Sequence, residues 1–243
     1  MLKENHKVAI YLEGHFSTDY GKMGIGVLRY LSNQIVAVID SKNNGKNTNE
    51  FNSIKRSVPI VSTLDAAVSN GAEVLILGIA PSGGKIPEAW FKVIESAISK
   101  NLSIINGLHD TLLSKYKNSL KNNQWIWDVR VPQFTPEIAS GKAAKLKNKR
   151  ILCVGTDMAV GKMTTSLEMH KWAIEKKINS SFIATGQIGI TISGEGIPLD
   201  AYKVDHACGA VEQMILKNQN SDWIFIEGQG SLLNPGSTAS LPL

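Results

Sequence analysis

Residues 155–165, "GTDMAVGKMTT", combine glycines, a lysine and hydroxyl side chains at a spacing that suits phosphate binding. The apolar run "RILCV" precedes them, and an amphipathic helical pattern follows. Between a strand and a helix, glycines let backbone N–H groups approach an anion, and the helix N-terminus adds partial positive charge. Lys162 supplies a mobile cation. We therefore predict a phosphate-binding loop; the alternative is a plain strand-to-helix turn with a surface lysine.

Met163 occupies the position where nucleotide hydrolases place a Ser or Thr whose hydroxyl holds Mg²⁺. A thioether is a poor ligand for a hard cation, and each helical step turns the next side chain by about 100 degrees. Thr164 and Thr165 therefore do not simply replace the missing ligand. If Mg²⁺ is used, Asp157 and Glu227 would hold it. Otherwise the loop cradles phosphates without metal, as the pyrophosphate and 3′-phosphate of coenzyme A require. The predicted cofactor-binding residues are Gly155, Thr156, Asp157, Val160, Gly161, Lys162, Met163, Thr164 and Thr165.

The segment "DWIFIEGQGS" (222–231) is an apolar strand that ends in an acid. In phosphate-loop folds such an acid lies beside the loop, at the carboxyl end of a neighbouring strand. Glu227 could orient Mg²⁺, or act as a general base if desolvation raises its pKa. A solvated strand-end carboxylate is the remaining alternative.

A third segment, "ATGQIGITISGEGIPLD" (184–200), carries four glycines. We predict an ordered loop over 186–199 that contacts ligand, because long loops in compact domains are usually functional. The Gln187 amide could hydrogen-bond a substrate carboxylate.

Strands and helices alternate along the whole chain, which indicates parallel sheets covered on both faces. We predict an α/β protein with a Rossmann-like N-terminal domain (1–133), a linker (134–149) and a P-loop NTPase-like domain (150–243). The second domain supplies three strands where such sheets usually have at least five. We therefore expect either a C-terminally truncated domain or a homo-oligomer in which another chain covers the sheet edge.

The sequence also predicts glycine loops in the first half. "GKMGIGVLRY" (21–30) follows the first strand after a gap too long for a dinucleotide fingerprint. "IAPSGGKIP" (79–87) could bind a small anion or form a tight turn. His109 is a minor candidate for proton transfer, since a lone His is usually structural.

Composition and charge limit the kinds of partner that we expect this protein to bind. The chain has 243 residues, 43% of them hydrophobic, which is ordinary for a globular protein. We expect a cytoplasmic protein without membrane contact, because no apolar run has spanning length and the N-terminus lacks a signal-peptide pattern. Cys153 and Cys208 are expected to be buried thiols. The net charge is +5, but the basic residues are scattered, so we expect a small-molecule substrate and no nucleic acid.

Three motifs give the sequence a family resemblance. "GTDMAVGKMTT", "ATGQIGI" with "SGEGIPLDA", and "EGQGSL" resemble, in order and spacing, a family of P-loop proteins now known as D-glutamate N-acetyltransferases. The first half resembles the Rossmann-like domain of that family at "IVAVIDS", "GIAPSGGKIPEAW" and "GLHD". The loop "GTDMAVGK" is also similar to that of dethiobiotin synthetases, which are Mg-ATP enzymes with Thr at the position of Met163.

The resemblance implies transfer of acetyl from acetyl-CoA to the amine of an acidic amino acid, D-glutamate. It implies that residues 155–165 hold cofactor phosphates. It also places the acceptor site at Thr185, Gln187, Gly189, Gly228 and Gln229. Our own hypothesis for catalysis is that Glu227 removes a proton from the substrate ammonium group and Lys162 pairs with phosphate. A Mg-ATP-dependent ligase or kinase and a non-catalytic nucleotide sensor are the alternatives.

Overall fold

The apolar runs of the first half form one parallel sheet. The computed structural model describes residues 2–51, 54–81 and 83–234, and it divides into two units, Met1–Arg130 and Val131–Leu243. The first sheet consists of β1 (Val8–Tyr11), β2 (Ile35–Ile39), β3 (Ile60–Val61), β4 (Val74–Leu77), β5 (Ser103–Asn106) and β6 (Ile126–Asp128). Their spatial order is β3-β2-β1-β4-β5-β6, with parallel pairing throughout. This is the Rossmann order, whose direction of winding reverses between β1 and β4.

Four α-helices connect these strands. They are α1 (Lys22–Tyr30), α2 (Leu64–Ser69), α3 (Trp90–Ser99) and α4 (Leu113–Tyr116). Residues 86–100 have the periodicity of an amphipathic helix, and within them lies α3, which buries Trp90, Ile94, Ala97 and Ile98. The helix begins three residues after Pro87, whose carbonyl oxygen accepts the Trp90 N–H at 2.9 Å.

Residues 21–30 do not form a glycine loop, contrary to our prediction. Nearly all of this segment is helix α1, which buries Met23, Val27 and Leu28. A Cβ atom on Gly24 would lie 2.6 Å from Leu12 Cδ1. The glycine therefore allows close packing of the helix on the sheet.

The second unit has a three-stranded parallel sheet. Its strands are β7 (Lys149–Cys153), β8 (Ser180–Ile183) and β9 (Trp223–Glu227), in the order β7-β9-β8. Its helices are α5 (Lys162–Glu175), α6 (Gln187–Ser193) and α7 (Val204–Lys217). The core contains Ile183, Ile197, Leu199, Ala207, Ala210, Val211, Met214, Ile215, Ile224 and Ile226. The C-terminal "PGSTASLPL" (235–243) lies outside the described residues.

The predicted loop over 186–199 contains helix α6, so this prediction was wrong in part. Glycine and β-branched residues have low helix propensity, which hides the helix in the sequence. Burial of Ile190 and a hydrogen bond from Thr191 Oγ1 to the Gln187 carbonyl at 2.8 Å stabilise it.

The segment predicted as a linker packs against α7. The carboxylate of Glu212 accepts hydrogen bonds from the Ser140 N–H and hydroxyl and, at 3.0 Å, from the Ala143 N–H. A Cβ atom on Gly209 would lie 1.7 Å from the Glu137 carbonyl oxygen. Residues 137–143 are therefore fixed to the second unit.

Of the two cysteines, Cys153 is buried as predicted and Cys208 is exposed, contrary to prediction. The buried stripe of α7 runs through Ala207, Ala210, Val211 and Met214, and Cys208 lies outside it. Within the described ranges, no helix has the length and apolar composition needed to cross a membrane.

Candidate functional site

The loop between β7 and α5 folds tightly around its own backbone. Gly161, directly before the helix, has φ +103°, and Ala159 has φ +58°. A Cβ atom on Gly155 would lie 2.6 Å from Val160 Cγ2. The backbone conformation at 161 therefore favours glycine, and Gly155 leaves room for the Val160 side chain.

The backbone amides of this loop are available to a ligand. The Met158 N–H donates to Asp157 Oδ1 at 2.7 Å, and the Thr165 N–H donates to the Gly161 carbonyl at 2.9 Å. Other amides have no acceptor among the residues that the structure describes. These amides belong to Thr156, Asp157, Ala159, Val160, Gly161, Lys162, Met163 and Thr164. Together with the N-terminus of a 14-residue helix, they form the donor set that anion binding needs.

Lys162 is the first residue of α5 and is partly buried. Its Nζ donates to the backbone carbonyl of Asp157 at 2.8 Å. Burial lowers the pKa of Lys162, while the carboxylates of Asp157 and Glu227 oppose this effect. The side chain thus lies on the loop that it would serve.

The chain after β9 ties down the loop. The Leu232 N–H donates to the Gly155 carbonyl at 3.0 Å, and Asn234 Nδ2 donates to Asp157 Oδ1 at 2.9 Å. The Asn234 and Met158 hydrogen bonds hold the pKa of Asp157 below its usual value. The Asp157 carboxylate therefore helps to shape the loop. Sequence reasoning missed Asn234, although it follows the "EGQGS" motif by only three residues.

Glu227 ends β9 and pairs in register with Cys153, the last residue of β7. It is 4% exposed, which excludes a solvated strand-end carboxylate. Its Oε2 accepts the N–H groups of Thr185 at 3.0 Å and Gly186 at 3.1 Å. Burial raises its pKa to about 7, although these two hydrogen bonds and the Lys162 charge oppose the shift. A carboxyl group with this pKa can exchange a proton near neutral pH.

Glycines line the Glu227 side chain. A Cβ atom on Gly189 would lie 2.3 Å from Glu227 Oε2, and one on Gly186 would lie 3.0 Å from Oε1. A Cβ atom on Gly228 would lie 2.0 Å from the Cys153 carbonyl oxygen and 3.4 Å from Lys162 Cδ. The glycines thus bring three chain segments together at one carboxyl group.

The structure places several predicted acceptor-site residues around Glu227. Thr185 is buried, and its Oγ1 donates to the Glu227 carbonyl at 2.6 Å. Gln229 Nε2 donates to Glu227 Oε1 at 3.3 Å. Gln187 is the first residue of α6, and its backbone carbonyl oxygen accepts a hydrogen bond from the Thr191 hydroxyl. The N–H and hydroxyl groups of Thr185 are thus both used in contacts with Glu227. Gln229 instead contacts Oε1, the carboxylate oxygen of Glu227 that can still accept a proton.

Met163, Thr164 and Thr165 form the first turn of α5, as predicted. Farther along this helix, the Ser166 hydroxyl is buried and has no partner among the described residues. Over the same residues, no group of three or more His, Cys, Asp or Glu side chains could hold a metal ion.

Polar and glycine residues of the first unit that could have bound a ligand make contacts within that unit. The Gly84 carbonyl accepts the His109 N–H at 2.7 Å, and a Cβ atom on Gly84 would lie 2.0 Å from His109 Cδ2. Asp40, at the end of β2, is buried and accepts hydrogen bonds from the Gly14 and Lys42 N–H groups and from Asn43 Nδ2. Ser82, within the 79–87 segment, lies outside the described residues.

The fold and site define a two-domain α/β protein with a Rossmann-like domain followed by a P-loop domain. The model of the DUF1611 N-terminal domain, a Rossmann-like domain of unknown function, matches residues 41–132. The model of the DUF1611 P-loop domain, also of unknown function, matches residues 137–243. The chain belongs to the DUF1611 family, and the predicted fold class is confirmed.

Individual relatives agree with this assignment. A solved structure of a DUF1611 family protein from Anabaena variabilis is 46% identical, with a TM-score of 0.94 over 98% of this chain and 71% of that chain. A D-glutamate N-acetyltransferase from a Pseudoalteromonas species is 42% identical over 70% of this chain and 51% of its own length. Another from Tritonibacter scottomollicae is 41% identical over 71% and 52%. The resemblance seen in the motifs is thus confirmed, and the chain spans about half the length of these two relatives.

Proposed function

We propose that the protein is an N-acetyltransferase that moves acetyl from acetyl-CoA to the amino group of an acidic amino acid, D-glutamate. The observation that carries this proposal is the buried Glu227 carboxyl group, with a pKa near neutrality, beside a phosphate-type loop whose amides are available. The names of the two curated relatives support the choice of reaction and acceptor.

The loop supports a phosphate-bearing acetyl donor. Acetyl-CoA supplies an acetyl thioester when bound, and the amides of residues 156, 157 and 159–164 with Lys162 would hold its phosphates. Met163 stands where a Mg-ATP enzyme needs a hydroxyl ligand, so the loop suits phosphate binding without phosphoryl transfer.

Glu227 provides the base. An amino acid reacts through its free amine, so its ammonium group must first lose a proton. Glu227 Oε1 is the atom for this proton, because Oε2 already accepts two N–H groups. Overall, a C–N bond forms, the thioester C–S bond breaks, and the sulfur leaves as a thiol. No enzyme nucleophile is required.

The test is product analysis by mass spectrometry after mixing the protein with acetyl-CoA and a panel of D- and L-amino acids. We expect N-acetylation of D-glutamate above all others. Calorimetric titrations with acetyl-CoA, and with ATP in the presence and absence of Mg²⁺, separate the alternative. Tight Mg²⁺-dependent ATP binding without affinity for acetyl-CoA would replace this proposal by a ligase or kinase.

A further inference from the structure

Asparagine is followed by glycine at three places in the chain, Asn44, Asn70 and Asn106. This pair is prone to deamidation, because glycine has no Cβ atom and its backbone nitrogen can approach the asparagine side chain. The reaction needs a side-chain amide that is free to turn, a following N–H that is free to move, and access of water. The surroundings of the three pairs therefore decide which of them reacts.

The fold protects two of the three pairs. Asn106 is fully buried at the end of β5, and its Nδ2 donates to Asp128 Oδ1 at 2.8 Å. Asn70 follows the last residue of α2, and its Nδ2 donates to the Val36 carbonyl at 3.3 Å. The next N–H, that of Gly71, donates to a carbonyl group of α2 at 2.8 Å. Hydrogen bonds therefore hold the side-chain amides of both asparagines in place.

Asn44 is exposed, and its side chain has no hydrogen-bond partner among the described residues. Gly45 has φ +85°, and a Cβ atom on it would meet no atom within 4 Å. Its N–H donates to the Ile60 carbonyl at 3.0 Å. Because β3 is an edge strand, opening of this bond costs less than opening in the core. Asn44 thus meets all three requirements once a single hydrogen bond opens.

We propose that Asn44 is a modification site, at which Gly45 closes a succinimide ring and water opens it to aspartate or isoaspartate. The Gly45 nitrogen attacks Asn44 Cγ, a C–N bond forms, and the side-chain amide nitrogen leaves as ammonia with the Gly45 proton. Water then adds at Cγ, which gives aspartate, or at the backbone carbonyl carbon, which gives isoaspartate. Water is the only other reactant, and the inference does not depend on acetyl transfer.

Isoaspartate should loosen the segment that covers the sheet edge. Gly45 and Lys46 lie along the outer side of β3, where the Ile60 N–H donates to the Lys46 carbonyl at 2.8 Å. An isoaspartyl linkage adds one backbone carbon atom before Gly45, which should displace the Gly45 N–H from the Ile60 carbonyl. The outer edge of β3 then loses part of its cover, whereas aspartate adds only a charge.

Peptide mapping of the aged protein tests the site. The full chain is incubated at mildly alkaline pH, digested and analysed by mass spectrometry with electron-transfer fragmentation, which distinguishes isoaspartate from aspartate. We expect deamidation at Asn44 to be at least about tenfold faster than at Asn70 or Asn106. In denaturant the three rates should converge, because each asparagine precedes a glycine. Equal rates in the folded chain, or an Asn44 that stays unmodified there, would overturn the inference.

Hydrogen exchange tests the effect on the sheet edge. In the isoaspartate fraction we expect the Ile60 N–H to exchange faster than in the fresh protein. Asn44→Asp, which carries the same charge on a normal backbone, is the matched control and should exchange like the fresh protein. Unchanged exchange in the isoaspartate fraction, or equal acceleration in Asn44→Asp, would overturn the expected loosening of β3.

Discussion

Thr185 and Glu227 are joined by two hydrogen bonds, one to the side-chain carboxylate of Glu227 and one to its backbone carbonyl oxygen. The Thr185 N–H donates to the Glu227 carboxylate at 3.0 Å, and the Thr185 hydroxyl donates to the Glu227 carbonyl at 2.6 Å. One residue therefore fixes both the strand end and the carboxyl group. Oε2 accepts two N–H groups, whereas Oε1 accepts only the Gln229 amide, at 3.3 Å, so a lone pair remains on Oε1.

The rate of acetyl transfer should depend on the protonation of Glu227. We expect kcat/KM to rise with pH through a limb near pH 7, because the base acts only as a carboxylate and burial raises its pKa to about 7. The Lys162 charge lowers this pKa, so Lys162→Met should move the limb to higher pH. Steady-state rates measured across the neutral pH range give the position of the limb in the wild type and in Lys162→Met. Lys171→Met, at an exposed site on the same helix, is the control; a limb that shifts equally there would contradict the coupling.

Glu227→Gln should abolish most of the catalysis but not binding. Loss of a general base typically costs about 10²- to 10⁴-fold in rate. The amide side chain has nearly the same shape, and coenzyme A affinity should remain close to that of the wild type. Stopped assays and calorimetry measure the two quantities, with Glu175→Gln on the helix surface as the control. Unchanged turnover would remove Glu227 as the base.

Glu227 should also make the folded protein less stable as pH rises. Its folded pKa is raised from 4.5 to about 7, so the folded state binds this proton more tightly than the unfolded state. The stabilisation is complete below pH 4.5 and is lost as pH rises through about 7. At about 1.4 kcal/mol per pKa unit, the wild type should lose about 3 kcal/mol relative to Glu227→Gln. Denaturant unfolding at several pH values measures this difference, and a difference independent of pH would contradict it.

Gly189→Ala should displace the Glu227 carboxyl group. The added Cβ would lie 2.3 Å from Oε2, which two N–H groups hold in place. We expect a loss of about 1–3 kcal/mol from overpacking, which exceeds the gain in helix propensity. Unfolding of the same substitution in a Glu227→Ala background is the control, and there the cost should be smaller. Equal costs in the two backgrounds would place the strain elsewhere.

Glu212→Ala should release the segment that precedes β7. Its carboxylate accepts the Ser140 and Ala143 N–H groups, and these bonds hold the pKa of Glu212 below its usual value. Without them, we expect faster tryptic cleavage at Lys142 and Lys145. The neighbouring Gln213→Ala, on the exposed face of α7, should leave the cleavage rate unchanged. Equal rates for both variants would show that packing alone holds the segment.

The phosphate-type loop and its acid could be predicted because their signals are local. An apolar strand, glycines and Lys162 followed by a helix are contiguous in the sequence. Glu227 was recognisable because it directly follows an apolar run, and parallel strands bring their carboxyl ends to one edge.

Other features depend on contacts between distant residues. The glycines of α1 and α6 indicate a loop by propensity, but Leu12 and Glu227 lie where a side chain on Gly24 or Gly189 would be. The exposure of Cys208 depends on which face of α7 meets the core. Neither the Asn234–Asp157 hydrogen bond nor the burial of Glu227 has a local signal. Tertiary packing decides each of these cases.

The Lys162 ammonium group donates to the Asp157 carbonyl oxygen at 2.8 Å, and two of its three N–H donors remain for an anion that enters the loop. A carbonyl is a neutral acceptor, and an ammonium group bonds more strongly to a charged oxygen. If the loop binds a phosphate-bearing cofactor as proposed, Lys162 would therefore favour molecules that carry negative charge over neutral molecules of similar shape.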